Sequence, residues 1–396
     1  MPGTKNAVRF NPLILSFYRV CLLTMAVSQG QAQSAQEDTW PTYQVDMNTR
    51  KVDLFDLIDR VELIRLEETE ASLLGEVRYY TATQNGFIIP DQRSKEILFF
   101  SEDGTYQHKI SKWGQGPEEY NGFANAWIKD SLVEFYDGAR QNLHRYTLTG
   151  ELEEIISPAI DKGWRTGNMH PTPEGYIINM LDPGINDKTT LMAIFLDQEL
   201  KLNQKVNRQS PPIAFPVNLG KRYSHDGTAL YYRPVMSDKI YRIENQQPKP
   251  FAQLQLGEDW LWSDPMIASE LSLASDLVIN DESHIFEVIP NIGEQYISLT
   301  LYYTIKKTAR GLIDRATGKF YQLKLRKQDK SDFKMSFLLW EKDLLVTSLP
   351  SYDLEEFLNQ LDKEQWSIRG GHSLESLLNS ENPVIMKLRF KPGLGR

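Results

Sequence analysis

Residues suited to chemistry are scattered along this sequence, and the most distinctive run among them is GQGPEEY at 114–120. Its glycines could cradle a phosphate, but the Lys and Ser/Thr of a nucleotide loop do not follow, and neither does a helix. Gly114, Gly116 and Pro117 read instead as a tight connection, in which glycine supplies unusual dihedrals and proline stiffens the turn. At the mouth of a binding site, such a connection would turn Gln115, Glu118 and Tyr120 towards a ligand. Three further runs carry the same kind of side chain. KGWRTGNMH holds Trp164, Arg165, Asn168 and His170; GKRYSHD holds Lys221, Arg222, Tyr223 and His225; EDWLWSD holds Trp260 and Trp262. Flat rings cover the apolar faces of a sugar or peptide, while amides and guanidinium groups fix hydroxyls and carboxylates. The candidate ligand contacts are therefore Gln115, Glu118, Tyr120, Trp164, Arg165, His170, Arg222, His225 and Trp260. Solvated loops and buried tryptophans would account for the same residues.

No catalytic residue can be assigned. His108, His144, His170, His225, His284 and His372 form no pair at zinc-ligand spacing. GxSxG and HExxH are missing, and SDFK at 331–334 matches SxxK only at the opening of an apolar strand. The sequence names no metal or other cofactor. An axial Ca²⁺ held by carboxylates from separate repeats would leave no local motif, and Glu76, Asp91 and Asp137 are the acids to watch, although each also suits a turn or a blade edge.

What must position these residues is a repeated all-β unit. From 74 to 325 apolar and polar residues alternate between turn signals, with almost no sustained helical period. Equivalent turns stand at Gly104, Gly150, Gln198 and Asn245, spaced by 46, 48 and 47 residues. The next, at Gly318, is delayed by a polar, helical stretch over 257–280. A four-stranded, aromatic-rich unit of this length is the mark of a propeller blade. Five blades are expected over 74–112, 123–157, 164–206, 216–256 and 284–325. A sixth is expected from strands at 334–341, 343–348 and 383–390 joined by one at 61–66, which closes the ring and leaves no open edge. The fold class is thus an all-β, six-bladed β-propeller, with a second helical insertion at 352–378.

The 396 residues are 41% apolar and 24% charged, with 8 Trp, 18 Tyr and 17 Phe, a composition that can bury a large core and suits pleated sheet. Lys5, Arg9 and Arg19 precede the apolar run VCLLTMAV at 20–27, followed by Gly30 and Ala32, the pattern of a secretory signal peptide over 1–32. A flexible start at 33–50 and one propeller over 51–396 complete the expected organisation. The single cysteine, Cys21, lies in the leader and follows Tyr18, Arg19 and Val20, unlike a lipidation site, so the mature chain is expected to be periplasmic or secreted, with neither a disulfide nor a transmembrane segment. The net charge of −9 falls further without the leader, and dispersed Lys and Arg give no footprint for nucleic acid.

RLEET with Leu66 and Glu67, LLGEV at 73–77, Asp91 in PDQRS, SEDG at 101–104, GQGPEEY, SDKIYRI at 237–243 and ENPVIMKLRF at 381–390 resemble the bacterial six-bladed β-propeller family of exported, largely uncharacterised proteins. The resemblance spans nearly the whole mature chain. It implies the fold and is silent on activity; many members carry a lipid-anchor cysteine that this chain lacks. The function expected first is a non-catalytic recognition module holding a glycan, a peptide or an envelope protein. The alternatives are a propeller hydrolase, lyase or lactonase with axial acids, and a scaffold part of an outer-membrane uptake system.

Overall fold

The computed structural model describes residues 40–181, 191–207, 221–264, 267 and 270–393; the leader expected over 1–32 lies outside them. The strands form six antiparallel sheets arranged as the blades of a six-bladed β-propeller. Blade 1 comprises Thr81–Thr83, Gly86–Asp91, Glu96–Ser101 and Tyr106–Ile110. Blade 2 comprises Ala126–Lys129, Leu132–Asp137, Asn142–Thr147 and Leu152–Ile156, and blade 3 Thr166–Thr172, Gly175–Met180, Leu191–Leu196 and Leu202–Asn207. Blade 4 is built from Tyr223–His225, Leu230–Tyr232, Lys239–Glu244 and Gln247–Gln255, and blade 5 from Glu287–Ile292, Tyr296–Tyr302, Thr308–Asp314 and Phe320–Lys324. The periodic turns seen in the sequence all fall between third and fourth strands, where Gly104, Gly150 and Gly318 have φ of 85°, 86° and 71°. Gly104 is the tightest: a Cβ there would stand 1.9 Å from the Arg65 carbonyl oxygen.

Blade 6 closes the ring from both sides of the sequence. Its order is Ser336–Glu341, Leu344–Leu349, Val384–Phe390 and Ile58–Ile64, with Met386 opposite Leu63. Middle strands are buried on both faces because every sheet is sandwiched between two others. In Gly86–Asp91, Phe87 and Ile89 pack towards blade 6 and Ile88 packs towards blade 2. Separate apolar clusters fill the other contacts: Trp127 and Tyr136 with Met169 and Ile178, Phe195 with Leu230, Ile240 with Val288, and Leu312 with Phe337. Burial of such side chains, at about 1.5–3 kcal/mol each, is what holds the blades together.

Three blades carry an additional outer strand that the apolar pattern does not announce. Thr42–Gln44 runs parallel to the edge of blade 4, Val52–Asp53 to the edge of blade 5, and Trp366–Ile368 to Ile58–Ile64 in blade 6. The segment from Thr42 to Ile64 is therefore a belt over three consecutive blades. The flexible start expected over 33–50 is corrected from Trp40 onward: Trp40 packs edge-on against Tyr241 at 5.0 Å, and Val45 is buried in the cluster between blades 4 and 5. The insertion after blade 4 contains the helix Leu271–Asn280, which covers Met236 and Phe286 through Ala274 and Val278. The second insertion contains the short helices Leu354–Leu358 and Leu374–Leu378, whose Leu354, Phe357 and Leu377 belong to the core between blades 5 and 6. No helix among the described residues is long and apolar enough to cross a membrane.

Candidate functional site

The first strand of each blade faces the propeller axis, and around it two adjoining cavities of about 370 and 400 Å³ share Tyr79, Asn168, Lys221 and Leu338. Blade 2 contributes Asn125 and Trp127, blade 3 Asn168 and His170, blade 4 Lys221, Tyr223 and His225, and blade 5 Asn291 and Arg310. The wall is held from behind. Trp127 donates its indole N–H to Glu134 at 2.8 Å, and Glu134 also accepts from Arg145 Nε at 2.8 Å and from the Tyr176 hydroxyl. The His170 ring stacks over Trp127 at 6.1 Å and meets Tyr223 at 5.2 Å. Asn168 lies in a bulge of its strand and donates its N–H to Asn179 Oδ1 at 2.9 Å. At Gly167, in that bulge, a Cβ would stand 2.4 Å from Asn179 Nδ2 and would displace this side chain.

The electrostatics of the channel are those of a cation-rich, poorly solvated space. Burial pushes Lys221 down to about 7, and its Nζ donates to the Leu338 carbonyl and lies 5.4 Å from the Tyr79 ring centroid. Arg310 is also held below its ordinary value by burial; it donates to the carbonyls of Ala309 at 3.3 Å and Met335 at 3.2 Å. Behind Lys221, Arg222 and Arg233 approach the two oxygens of Glu287 at 3.4 and 2.5 Å, all three side chains withdrawn from solvent. Burial lowers His170 to about 4 and His225 below its usual range, so both rings are neutral near pH 7. His225 Nδ1 accepts from the Gly227 N–H at 2.9 Å, which puts its proton on Nε2. Tyr79 and Tyr223 are pushed above their ordinary values by burial and keep their hydroxyl protons.

Of the residues singled out from sequence, the structure brings His170, Arg222 and His225 together at the channel. The others are elsewhere. Tyr120 is fully buried between blades 1 and 2, packed edge-on against Phe135 at 4.9 Å, and its hydroxyl donates to the Lys95 carbonyl at 2.7 Å. The GQGPEEY loop is closed by Arg140, which donates to the carbonyls of Gly116, Glu119 and Gly114 at 2.9, 2.6 and 2.9 Å. Gln115 and Glu118 lie on its exposed side, bonded to Asn121 and beside Lys112 respectively. Trp164 packs on the core of blade 3, Arg165 points to solvent, and Trp260 is buried against the cluster between blades 4 and 5. None of these six lines either channel cavity: Tyr120, Trp164 and Trp260 pack in the cores between blades, and Gln115, Glu118 and Arg165 are exposed.

The three acids singled out from sequence each have a local partner among the described residues. Asp91 accepts from the Arg93 N–H and the Ser94 hydroxyl, Asp137 accepts from the N–H groups of Asn121, Ala139 and Arg140, and Glu76 pairs with Arg78. Among the described residues no group of three or more His, Cys, Asp or Glu side chains is placed to hold a metal ion. Tyr79, Trp127, Asn291 and Arg310 escaped the sequence reading. Each adjoins or belongs to a blade strand, and only the blade phase, which fixes the residues opening each first strand, could have pointed to most of them.

A family model described as a domain of unknown function (DUF4934) matches residues 42–389. Among curated proteins none matches the sequence at a significant level. Among solved structures, a Bacteroides fragilis protein whose name proposes that it is exported superposes with a TM-score of 0.69 at 16% identity, over 88% of this chain and 99% of that one. A DUF4221 family member from Bacteroides vulgatus gives 0.47 at 11% identity, over 84% and 98% of the two chains. A streptogramin B lyase gives 0.40 at 9% identity, over 86% and 100%. At these identities the likeness is one of fold, and only the first is close enough to carry it.

Proposed function

This chain belongs to the DUF4934 family, a domain of unknown function, and from its channel we propose that it is an exported, non-catalytic recognition module whose ligand enters the propeller axis. The observation that carries this reading is the continuous channel of two cavities, faced by the rings of Tyr79, Trp127 and Tyr223 and by the amides of Asn125, Asn168 and Asn291. Rings that are fixed before binding lose little freedom when a ligand arrives, and amides both donate and accept. The Asn125 Oδ1 atom is buried without a hydrogen-bond partner, an acceptor that a ligand hydroxyl or N–H would satisfy. Export is supported by the leader pattern over 1–32 and by the name of the Bacteroides fragilis protein of like fold.

The test is thermal denaturation of the chain from Gln33 onward against panels of oligosaccharides and short peptides, with product analysis of every mixture. Selective binding to the folded state raises the melting temperature. A rise with one ligand class and no change in that ligand supports recognition. Conversion of the ligand to product would sink the non-catalytic reading, and a rise that survives Asn168→Leu and Asn125→Leu would move the site out of the channel.

A further inference from the structure

We propose that the channel contains a subsite for an oxyanion, a carboxylate, sulfate or phosphate group on its ligand, formed by Lys221 and Arg310. This rests on the channel being the binding site and adds the chemical class of what it holds. The chain as a whole is acidic, at −9, yet the charged side chains lining the channel are mainly cations. The one carboxylate among the lining residues, Glu76, is paired with Arg78 at 2.9 Å, and Glu287 behind the wall is shared by Arg222 and Arg233.

Lys221 and Arg310 remain without a carboxylate within ion-pair distance among the described residues. Residues 208–220, outside that set, contain no Asp or Glu. Lys221 has three N–H donors and a carbonyl partner in Leu338. Arg310 has five; its Nη atoms reach carbonyls and its Nε is buried without a partner. Both residues line the same cavity, between the rings of Tyr79, Tyr302 and Phe337. A cation held among rings and carbonyls, away from bulk water, is costly for a fold to keep, and a channel of one sign focuses the field on an incoming opposite charge. An arriving oxyanion supplies the missing acceptor to both residues at once, with charge-assisted hydrogen bonds.

The experiment compares matched ligands by calorimetry on the intact chain. Galactose is set against galacturonate, galactose 6-sulfate and galactose 6-phosphate, and a glutamine tripeptide against its glutamate counterpart. The expected result is that at least one acidic member binds more tightly than its neutral partner and weakens with added salt, and that Lys221→Met and Arg310→Met each weaken it by roughly tenfold or more. Retained thermal stability of both variants shows that the loss is one of binding. Preference in the sugar or the peptide series identifies the source of the anion. Equal binding of neutral and acidic members, or acidic binding unchanged in both variants, would overturn the oxyanion subsite and leave the channel reading intact. Binding by neither series would overturn both.

Discussion

Arg233 Nη1 lies 2.5 Å from Glu287 Oε1, tying blade 4 to the first strand of blade 5 where no solvent reaches either side chain. Arg222 approaches the other carboxylate oxygen at 3.4 Å, and the Arg233 N–H bonds the Arg222 carbonyl at 2.9 Å, so a buried Arg–Glu–Arg group backs the channel wall beside Lys221. Burial holds Arg233 down to about 10, a measure of how costly this charge is to keep dry. Glu287→Gln keeps the shape and removes the negative charge that both guanidinium groups share. We expect it to destabilise the fold by about 3–5 kcal/mol, measured by urea denaturation.

Lys221 should behave as a functional cation rather than a structural one. Its folded pKa of about 7 lies well below the ordinary 10.5, so between these values the unfolded chain holds a proton that the folded chain has released. Stability attributable to this group therefore rises as pH rises from 7 to 10.5. Lys221→Met should be more stable than the parent at pH 7, with the difference closing towards pH 10.5; a less stable variant at pH 7 would contradict the assignment. The titratable and charged groups that share the cavities of Lys221 are Tyr79, Tyr80, Arg78 and Glu76 before blade 1, His170 in blade 3, Tyr302 and Arg310 in blade 5, and Arg222, Tyr223 and His225 in blade 4.

The same linkage gives oxyanion binding a pH dependence. A bound anion favours protonated Lys221, so affinity for an acidic ligand should fall as pH rises above 7 and should be flatter in Lys221→Met. Titration calorimetry in buffers of different ionisation enthalpy would read the proton uptake directly.

Acid should act elsewhere, at His144. Its ring is fully buried, stacked on Phe135 at 5.0 Å, with neither nitrogen hydrogen-bonded, and burial lowers it to about 4; Asp137 opposes that shift and Arg140 reinforces it. Because the unfolded histidine takes up its proton near pH 6.5, stability is lost as pH falls from 6.5 to 4, by roughly 3 kcal/mol in full. His144→Phe should remove this residue's share of the acid sensitivity at little cost at pH 7, leaving the like contribution of His170, as seen in urea midpoints at pH 7 and pH 4.5.

Motifs that carry the resemblance to exported propellers turn out to meet at one place. Asn382 accepts from the Leu74 N–H at 2.7 Å and donates to the carbonyls of Glu67 and Ser72 at 3.1 and 3.0 Å, joining the ENP, LLGEV and RLEET runs across the seam between blades 6 and 1. Asn382→Ala leaves buried backbone groups unpaired and should cost about 3 kcal/mol or more, without altering ligand selectivity. A variant with normal stability and lost binding would point to a role at the channel instead.

The blades were legible because sheets sandwiched on both faces demand apolar strands, and their third-to-fourth turns recur at nearly constant spacing. The belt was not, since Thr42–Gln44 and Val52–Asp53 are two or three residues long and exist only because the edges of blades 4 and 5 offer hydrogen bonds. At the channel, His170, Arg222 and His225 were legible as polar residues in or beside the first strands of blades 3 and 4. Tyr79, Trp127 and Arg310 were hidden because a channel wall and a core draw on the same residue types. Tyr120 and Trp260 misled for the converse reason: glycine- and tryptophan-rich loops can be distinctive solely for packing.

Ring closure also sets a timetable. Ile58–Ile64 is translated well before its antiparallel partner Val384–Phe390, which follows it by more than 300 residues. At about 5–20 residues per second, the early strand waits on the order of tens of seconds with both edges unmatched, because Trp366–Ile368, its parallel neighbour, is also made late. A polypeptide that stops short of Val384 can stack its first five blades and still cannot complete the sixth. Completion of the sixth blade, and with it the circle, therefore waits until Phe390 has been made.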